Sequence, residues 1–160
     1  MDDVGLETLS NELKTDCGVA AGAFATAAAR IEEGTPSGVE GCAHHLARLF
    51  NVVEQMSLRV AKAFENNIDD EKGWHADLIR RMTISIASVR PALFPQELAQ
   101  ELHELRMFRH VFNHAYDLRL DPEKLRLLLK YAGVVTPRLP SHVRQFVEGV
   151  AAMHGLTPPQ

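Results

Sequence analysis

Along two long stretches of this chain, apolar side chains recur at steps of three and four. Leu46, Leu49, Val53, Met56, Val60 and Phe64 form one row, and Leu98, Leu102, Leu105, Phe112 and Tyr116 form another. That spacing places each row on one face of a helix. Nowhere does the chain alternate strictly between apolar and polar residues, and β-branched runs are short, so strands are not predicted. The expected fold is all-α, an up-and-down bundle of about five to six helices.

Turn residues divide the chain into segments. An Ala-rich segment spans about residues 4–31, where Gly18 and Gly22, four apart, suggest a close helix approach. Gly34-Thr-Pro-Ser-Gly38 breaks it. A second helix is expected over about 38–66, followed by a turn at Asn66-Asn67-Ile-Asp-Asp70. The third, about 74–90, carries Leu78, Met82, Ile86 and Val89 on one face, with Trp74 as a core anchor, and ends where Pro91 pushes Arg90 out of helical conformation. The fourth starts at Pro95 and runs to about Leu118. Asp121-Pro122 caps a fifth that ends near Tyr131, with Gly133 as its stop. Pro137 and Pro140 form a linker to a last helix over about 141–153, with Val143, Phe146, Val147 and Val150 inward.

One residue breaks the second apolar row. Arg109 stands between Leu105 and Phe112, where a buried guanidinium needs a partner. Position alone favours a structural ion pair, or an Arg whose stem covers apolar surface while its head reaches water. The alternative is a site at a subunit interface. Beside the apolar row lies a polar sector of His103, Arg106, His110, Asn113, His114 and Asp117, including three side chains that titrate near neutrality. Arg109 and His114, five apart, diverge by about 140° on a regular helix. They can meet on one phosphate if the helix loosens or ends near Asn113, or if a second subunit supplies the counterpart groups.

Arg109-His110-Val111-Phe112-Asn113-His114-Ala115-Tyr116 resembles the Arg-x-x-x-x-His-x-Tyr signature of the HEPN superfamily, in particular its HepT-like ribonuclease branch. Gly73-Trp74-His75, Val89-Arg90-Pro91-Ala92-Leu93, Pro95 and Leu120-Asp121-Pro122 agree with that branch, and the similarity covers roughly residues 40–150. One departure is His110, where the best-known members carry Asn. The resemblance implies a homodimer whose two motifs face each other across a cleft. It implies RNA as substrate, with His114 as acid/base, Arg109 as phosphate clamp, and His110 and Asn113 in support. The product would be a 2′,3′-cyclic phosphate, made without metal or cofactor. It further implies a toxin–antitoxin pairing with a nucleotidyltransferase (MNT-type) antitoxin that modifies Tyr116 with AMP. Tyr116 also continues the apolar row, where a buried tyrosine is commonplace. The alternative is a non-catalytic HEPN-like helical module that binds a nucleotidyltransferase or a nucleotide, because a fold does not guarantee an activity.

The remaining features bound these readings. One hundred and sixty residues fit a single domain, read as an acidic N-terminal helix over 1–36 and a family-like core over about 40–150. The net charge of −4 is unevenly placed. Residues 1–33 hold seven acids and two bases, whereas the rest hold 14 acids and 15 bases, so sequence-independent high-affinity nucleic-acid binding is not predicted. Cys17 and Cys42 lack metal or redox spacing and read as free thiols in a reducing cytosol. The acidic start is no signal peptide, and the small-apolar run from Gly18 to Ala29 is short of the roughly 20 residues of a membrane span. The protein is therefore expected to be cytoplasmic, with no membrane contact. His110 and His114 have the spacing of a helical metal pair, but no Glu follows the first His as it does in zinc proteases. His44 and His45, adjacent on a helix, should point apart.

Overall fold

A computed structural model of the chain describes residues 1–65, 74–115 and 119–159, with six α-helices among them. Two long ones come first, α1 (Asp3–Glu32) and α2 (Pro36–Phe64), followed by α3 (Trp74–Met82), α4 (Ala99–His114), α5 (Pro122–Val135) and α6 (Leu139–His154). Short 3-10 turns at Gln96–Leu98 and Thr136–Arg138 lead into α4 and α6. The described residues contain no strand, only an isolated antiparallel bridge between Ile86 and Arg90. The all-α bundle expected from periodicity is the fold found.

Local chemistry explains most of the helix ends. Asp2 accepts from the Gly5 amide at 2.8 Å, Thr35 from Gly38 at 3.0 Å and Asp121 from Glu123 at 2.9 Å. Each satisfies an amide that the first helical turn leaves without a partner. Pro36 and Pro122 follow their caps, where the missing N–H costs nothing. Gly34 and Gly155 both have φ of 65°, a left-handed conformation suited to glycine, at the ends of α1 and α6.

The core forms where α1 and α2 pack together and the shorter helices lie across them. Leu46, Leu49, Val53, Met56 and Val60 are all buried, as are Leu98, Leu102 and Leu105. The inward set predicted for α6, Val143, Phe146, Val147 and Val150, is buried too. No described helix is long and apolar enough to cross a membrane.

Several expectations are corrected. Gly18 and Gly22 make no close approach: a Cβ on either would meet nothing within 4 Å, and both are exposed. Ala20, Ala23 and Ala27 are small residues that α1 buries, and the glycine held tightest against backbone is Gly38, whose Cβ would collide with the Arg30 carbonyl. Gly133 stops nothing, because α5 continues to Val135; the glycine sits beside the Phe24 ring, where a Cβ would have only ordinary contact. Pro137 and Pro140 lie in the 3-10 turn and the first turn of α6 and form no linker.

The largest difference is at α3, which ends at Met82, eight residues short of the predicted Arg90. Thr83-Ile84-Ser85-Ile86 is a run of β-branched and hydroxyl residues with weak helix preference. Thr83 Oγ1 donates back to the Arg80 carbonyl at 2.8 Å, and Ser88 turns the chain with φ of 62°. Arg90 then folds inward and donates to the carbonyls of Arg81, in the last turn of α3, and of Ile84 and Pro91, beyond it. The predicted turn at Asn66–Asp70, the Trp74 side chain, Tyr116, Asp117 and Leu118 lie outside the described residues.

Candidate functional site

α4 is a regular helix through the whole of the Arg109–His114 segment. Its last backbone bond runs from the Ala115 amide to the Val111 carbonyl at 2.9 Å, and Ala115 leaves the helix with φ −86° and ψ 119°. The helix thus ends at His114, earlier than the predicted Leu118 and too late to bend Arg109 toward His114. The two groups occupy different faces.

Arg109 turns toward α2. Its Nη1 and Nη2 atoms donate to the two carboxylate oxygens of Glu54, both at 2.8 Å, and Nη1 also donates to Asn51 Oδ1 at 3.0 Å. The guanidinium carbon lies 5.1 Å from the centre of the Phe50 ring, within cation–π range. Here is the partner that a charge in an apolar row requires. A parallel two-point pair fixes the plane of the guanidinium as well as its position. The side chains of Arg109 and Glu54 retain 18% and 15% exposure, so the pair sits at the rim of the core and still reaches solvent.

His110, Asn113 and His114 lie on the exposed side. The rings of His110 and His114 stack with centroids 4.6 Å apart. His114 Nδ1 is 2.8 Å from the His110 carbonyl oxygen. A carbonyl can only accept, so Nδ1 carries the proton. In the neutral ring Nε2 is then the basic nitrogen. The backbone of α4 thereby sets the tautomer of its own last histidine.

Two further features border this helix. Met107 and Val111 are large apolar residues left 41% and 40% exposed, one turn apart on the surface of α4. Beside them, α4 and the Arg119–Leu128 stretch enclose a groove of about 200 Å³ lined by Phe108, Leu120, Leu125 and Leu128. A larger cavity of about 580 Å³, between α1 and α6, touches none of the Arg109–His114 residues.

Other groups singled out in the sequence lie apart from this site. Cys17 and Cys42 are free and buried, and burial pushes both thiols up to about 11, too high for a thiolate nucleophile at neutral pH. His44 and His45 do not point apart as predicted. Their rings meet edge to face with centroids 5.2 Å apart. Burial, followed by the charges of His44, Arg48 and Arg30, lowers the pKa of His45. Among the described residues, no group of three or more His, Cys, Asp or Glu side chains is placed to hold a metal ion. The acids of α1 and its C-terminal cap are largely engaged within the chain: Glu12 and Asp16 with Arg59, Glu32 with Arg126, and the cap residue Glu33 with Arg30.

Glu54 and Asn51 are the residues that sequence reasoning missed. The only signal was an acid beside the buried face of α2, and nothing in the spacing links it to an arginine 55 positions later. The HepT-like protein family matches the chain over residues 41–150, which takes in most of α2 through most of α6. No curated protein and no solved structure matches it.

Proposed function

This chain belongs to the HepT-like protein family, of HEPN type, and on that premise we propose that it is a metal-independent endoribonuclease toxin. It acts as a homodimer through Arg109 and His114. A cognate nucleotidyltransferase antitoxin restrains it by placing AMP on Tyr116.

The observation that carries this reading is the His114 ring, exposed and held by its Nδ1 proton so that Nε2 is free to accept one. RNA brings its own nucleophile. Nε2 takes the proton of a 2′-hydroxyl, the 2′-oxygen bonds to the adjacent phosphorus, and the bond to the 5′-oxygen breaks. A proton donor from the facing motif protonates the leaving oxygen. The products are a 2′,3′-cyclic phosphate and a 5′-hydroxyl. Arg109 donates to the phosphate oxygens, where negative charge grows in the transition state. Because Arg109 and His114 diverge on one regular helix, each active centre combines residues of two subunits. The exposed pair Met107 and Val111, on the same helix, supports an interface there. His110 stacks on His114 and lends it its carbonyl, and Asn113 adds an exposed amide beside them.

The test is cleavage of total RNA and tRNA by purified protein in EDTA, with the ends of the products analysed. Cleavage leaving cyclic phosphates is expected. A requirement for a divalent ion would refute the metal-free mechanism. No cleavage by folded, dimeric protein unmodified at Tyr116 would favour the non-catalytic module, in which the Arg109–Glu54 pair serves packing alone. For the partner, mass spectrometry of protein co-expressed with a neighbouring nucleotidyltransferase gene should find AMP increments on Tyr116. Added charge and bulk beside the motif would repel RNA. An unmodified tyrosine in an inactive complex would remove this part of the proposal.

A further inference from the structure

We infer that Glu54 and Asn51 of α2 are positioning residues that aim the guanidinium of Arg109 at the phosphate. The inference rests on the ribonuclease reading above. A guanidinium has five N–H groups in one plane. Three are engaged on α2: both protons of Nη1, on Asn51 and Glu54, and one proton of Nη2, on Glu54. What remains is the Nε–H and the second Nη2–H, which lie side by side along the other edge. Among the described residues nothing accepts from that edge, and neither nitrogen is both buried and unpaired. Two parallel N–H groups match two oxygens of a phosphate.

The Glu54 carboxylate therefore does not have to leave for a phosphate to bind. It holds one edge and leaves the other available. The Phe50 ring beneath restricts tilting, and Asn51 restricts rotation in the plane. An arginine held this way loses little freedom when the phosphate arrives, and a small misplacement of such a group is costly in rate. The opposite possibility is a latch, in which Glu54 competes with phosphate for the guanidinium. The two make opposite predictions for removal of the carboxylate.

The experiment uses the full-length dimer with Glu54→Gln, Glu54→Asp and Asn51→Ala, on one defined RNA. Glutamine cannot offer two acceptors to the fork. Positioning predicts that kcat falls by about 10-fold or more in Glu54→Gln with KM within about 2-fold of wild type. Glu54→Asp, which keeps a carboxylate, should recover part of the loss. Asn51→Ala, at an exposed position, should fold and show a smaller fall in kcat. If Glu54→Gln does not fold, the aspartate and Asn51 variants carry the same comparison. Faster cleavage by Glu54→Gln would establish a latch and overturn the proposal, and so would an unchanged kcat. A second readout does not depend on cleavage: the NMR signal of the Arg109 Nε–H, followed while a 2′-deoxy oligonucleotide is added. It should shift in wild type and lose that response in Glu54→Gln. A shift without any cleavage of RNA would sink the ribonuclease reading and leave the positioning intact. An unresponsive Nε–H in wild type would sink the positioning even where RNA is cut.

Discussion

Replacing His114 by alanine is expected to abolish RNA cleavage, lowering kcat by about 10²- to 10⁴-fold, the usual contribution of a positioned general acid–base group. The loss should fall on kcat, because His114 acts on the proton in flight and adds little to ground-state binding. Folding should be unaffected. The ring is exposed at the end of α4, and its Nδ1 bonds to a carbonyl of its own helix. His114→Ala should therefore denature at the wild-type temperature, which separates loss of chemistry from loss of fold. Mixed dimers extend the test. An Arg109→Ala subunit combined with a His114→Ala subunit contains one intact composite centre if each centre draws on both chains. Such a heterodimer should regain up to about half of wild-type activity, by counting sites, whereas each homodimer stays inactive. A His114→Ala homodimer that still cleaves at the wild-type rate would remove the histidine from the mechanism. A silent heterodimer would remove the shared centre.

Much of the fold was legible because helices announce themselves through spacing. Among the described residues, most of the apolar rows of α2, α4 and α6 is buried, and Asp121-Pro122 caps α5 as its two residues predict. Errors came where tertiary contacts outweigh local signals. Gly133 reads as a stop, but its backbone stays helical beside Phe24. Helix α3 reads as continuous to Pro91 because Ile86 and Val89 keep its period, yet the chain turns away after Met82 and buried Arg90 donates back to the carbonyls of Arg81 and Ile84. The candidate site was legible only in part. The polar face of α4 is as expected, with His110, Asn113 and His114 exposed. The question raised by Arg109 also had the right form, since a charge in an apolar row does have a partner. The identity of that partner was not legible, because an ion pair across 55 residues leaves no local pattern. The tautomer of His114 was likewise hidden, since it depends on a carbonyl and not on any residue type.

The arginine that bears most on stability is not the one the sequence drew attention to. Arg90 is fully buried, whereas the Arg109 side chain is 18% exposed. Arg90 joins Glu65, by Nε at 3.1 Å and Nη2 at 2.8 Å, to three backbone carbonyls. It ties the end of α2 to the end of α3 and to the turn that leads into α4. Arg90→Ala removes a charge from a site with no access to water, takes a donor from each of those carbonyls, and takes one of two cationic partners from Glu65, which also pairs with Arg81. Breaking a buried pair in this way costs about 3–5 kcal/mol. For a chain of this size that corresponds to a fall of roughly 10 °C or more in the denaturation midpoint. Arg90→Lys keeps the charge but cannot reach four acceptors in one plane, so it should lie between wild type and alanine. Arg109→Ala should cost clearly less, because its pair stands at the rim of the core and water can replace part of what is lost. Urea denaturation of the three variants decides this. An Arg90→Ala protein within about 1 kcal/mol of wild type would show that the buried network is dispensable. The expected order also bears on the activity experiments. Only if Arg109 can be removed without unfolding the bundle does a loss of cleavage in Arg109→Ala report on phosphate binding and not on the fold, and the separation of the two arginines, one inside the core and one at its edge, is the physical reason it should.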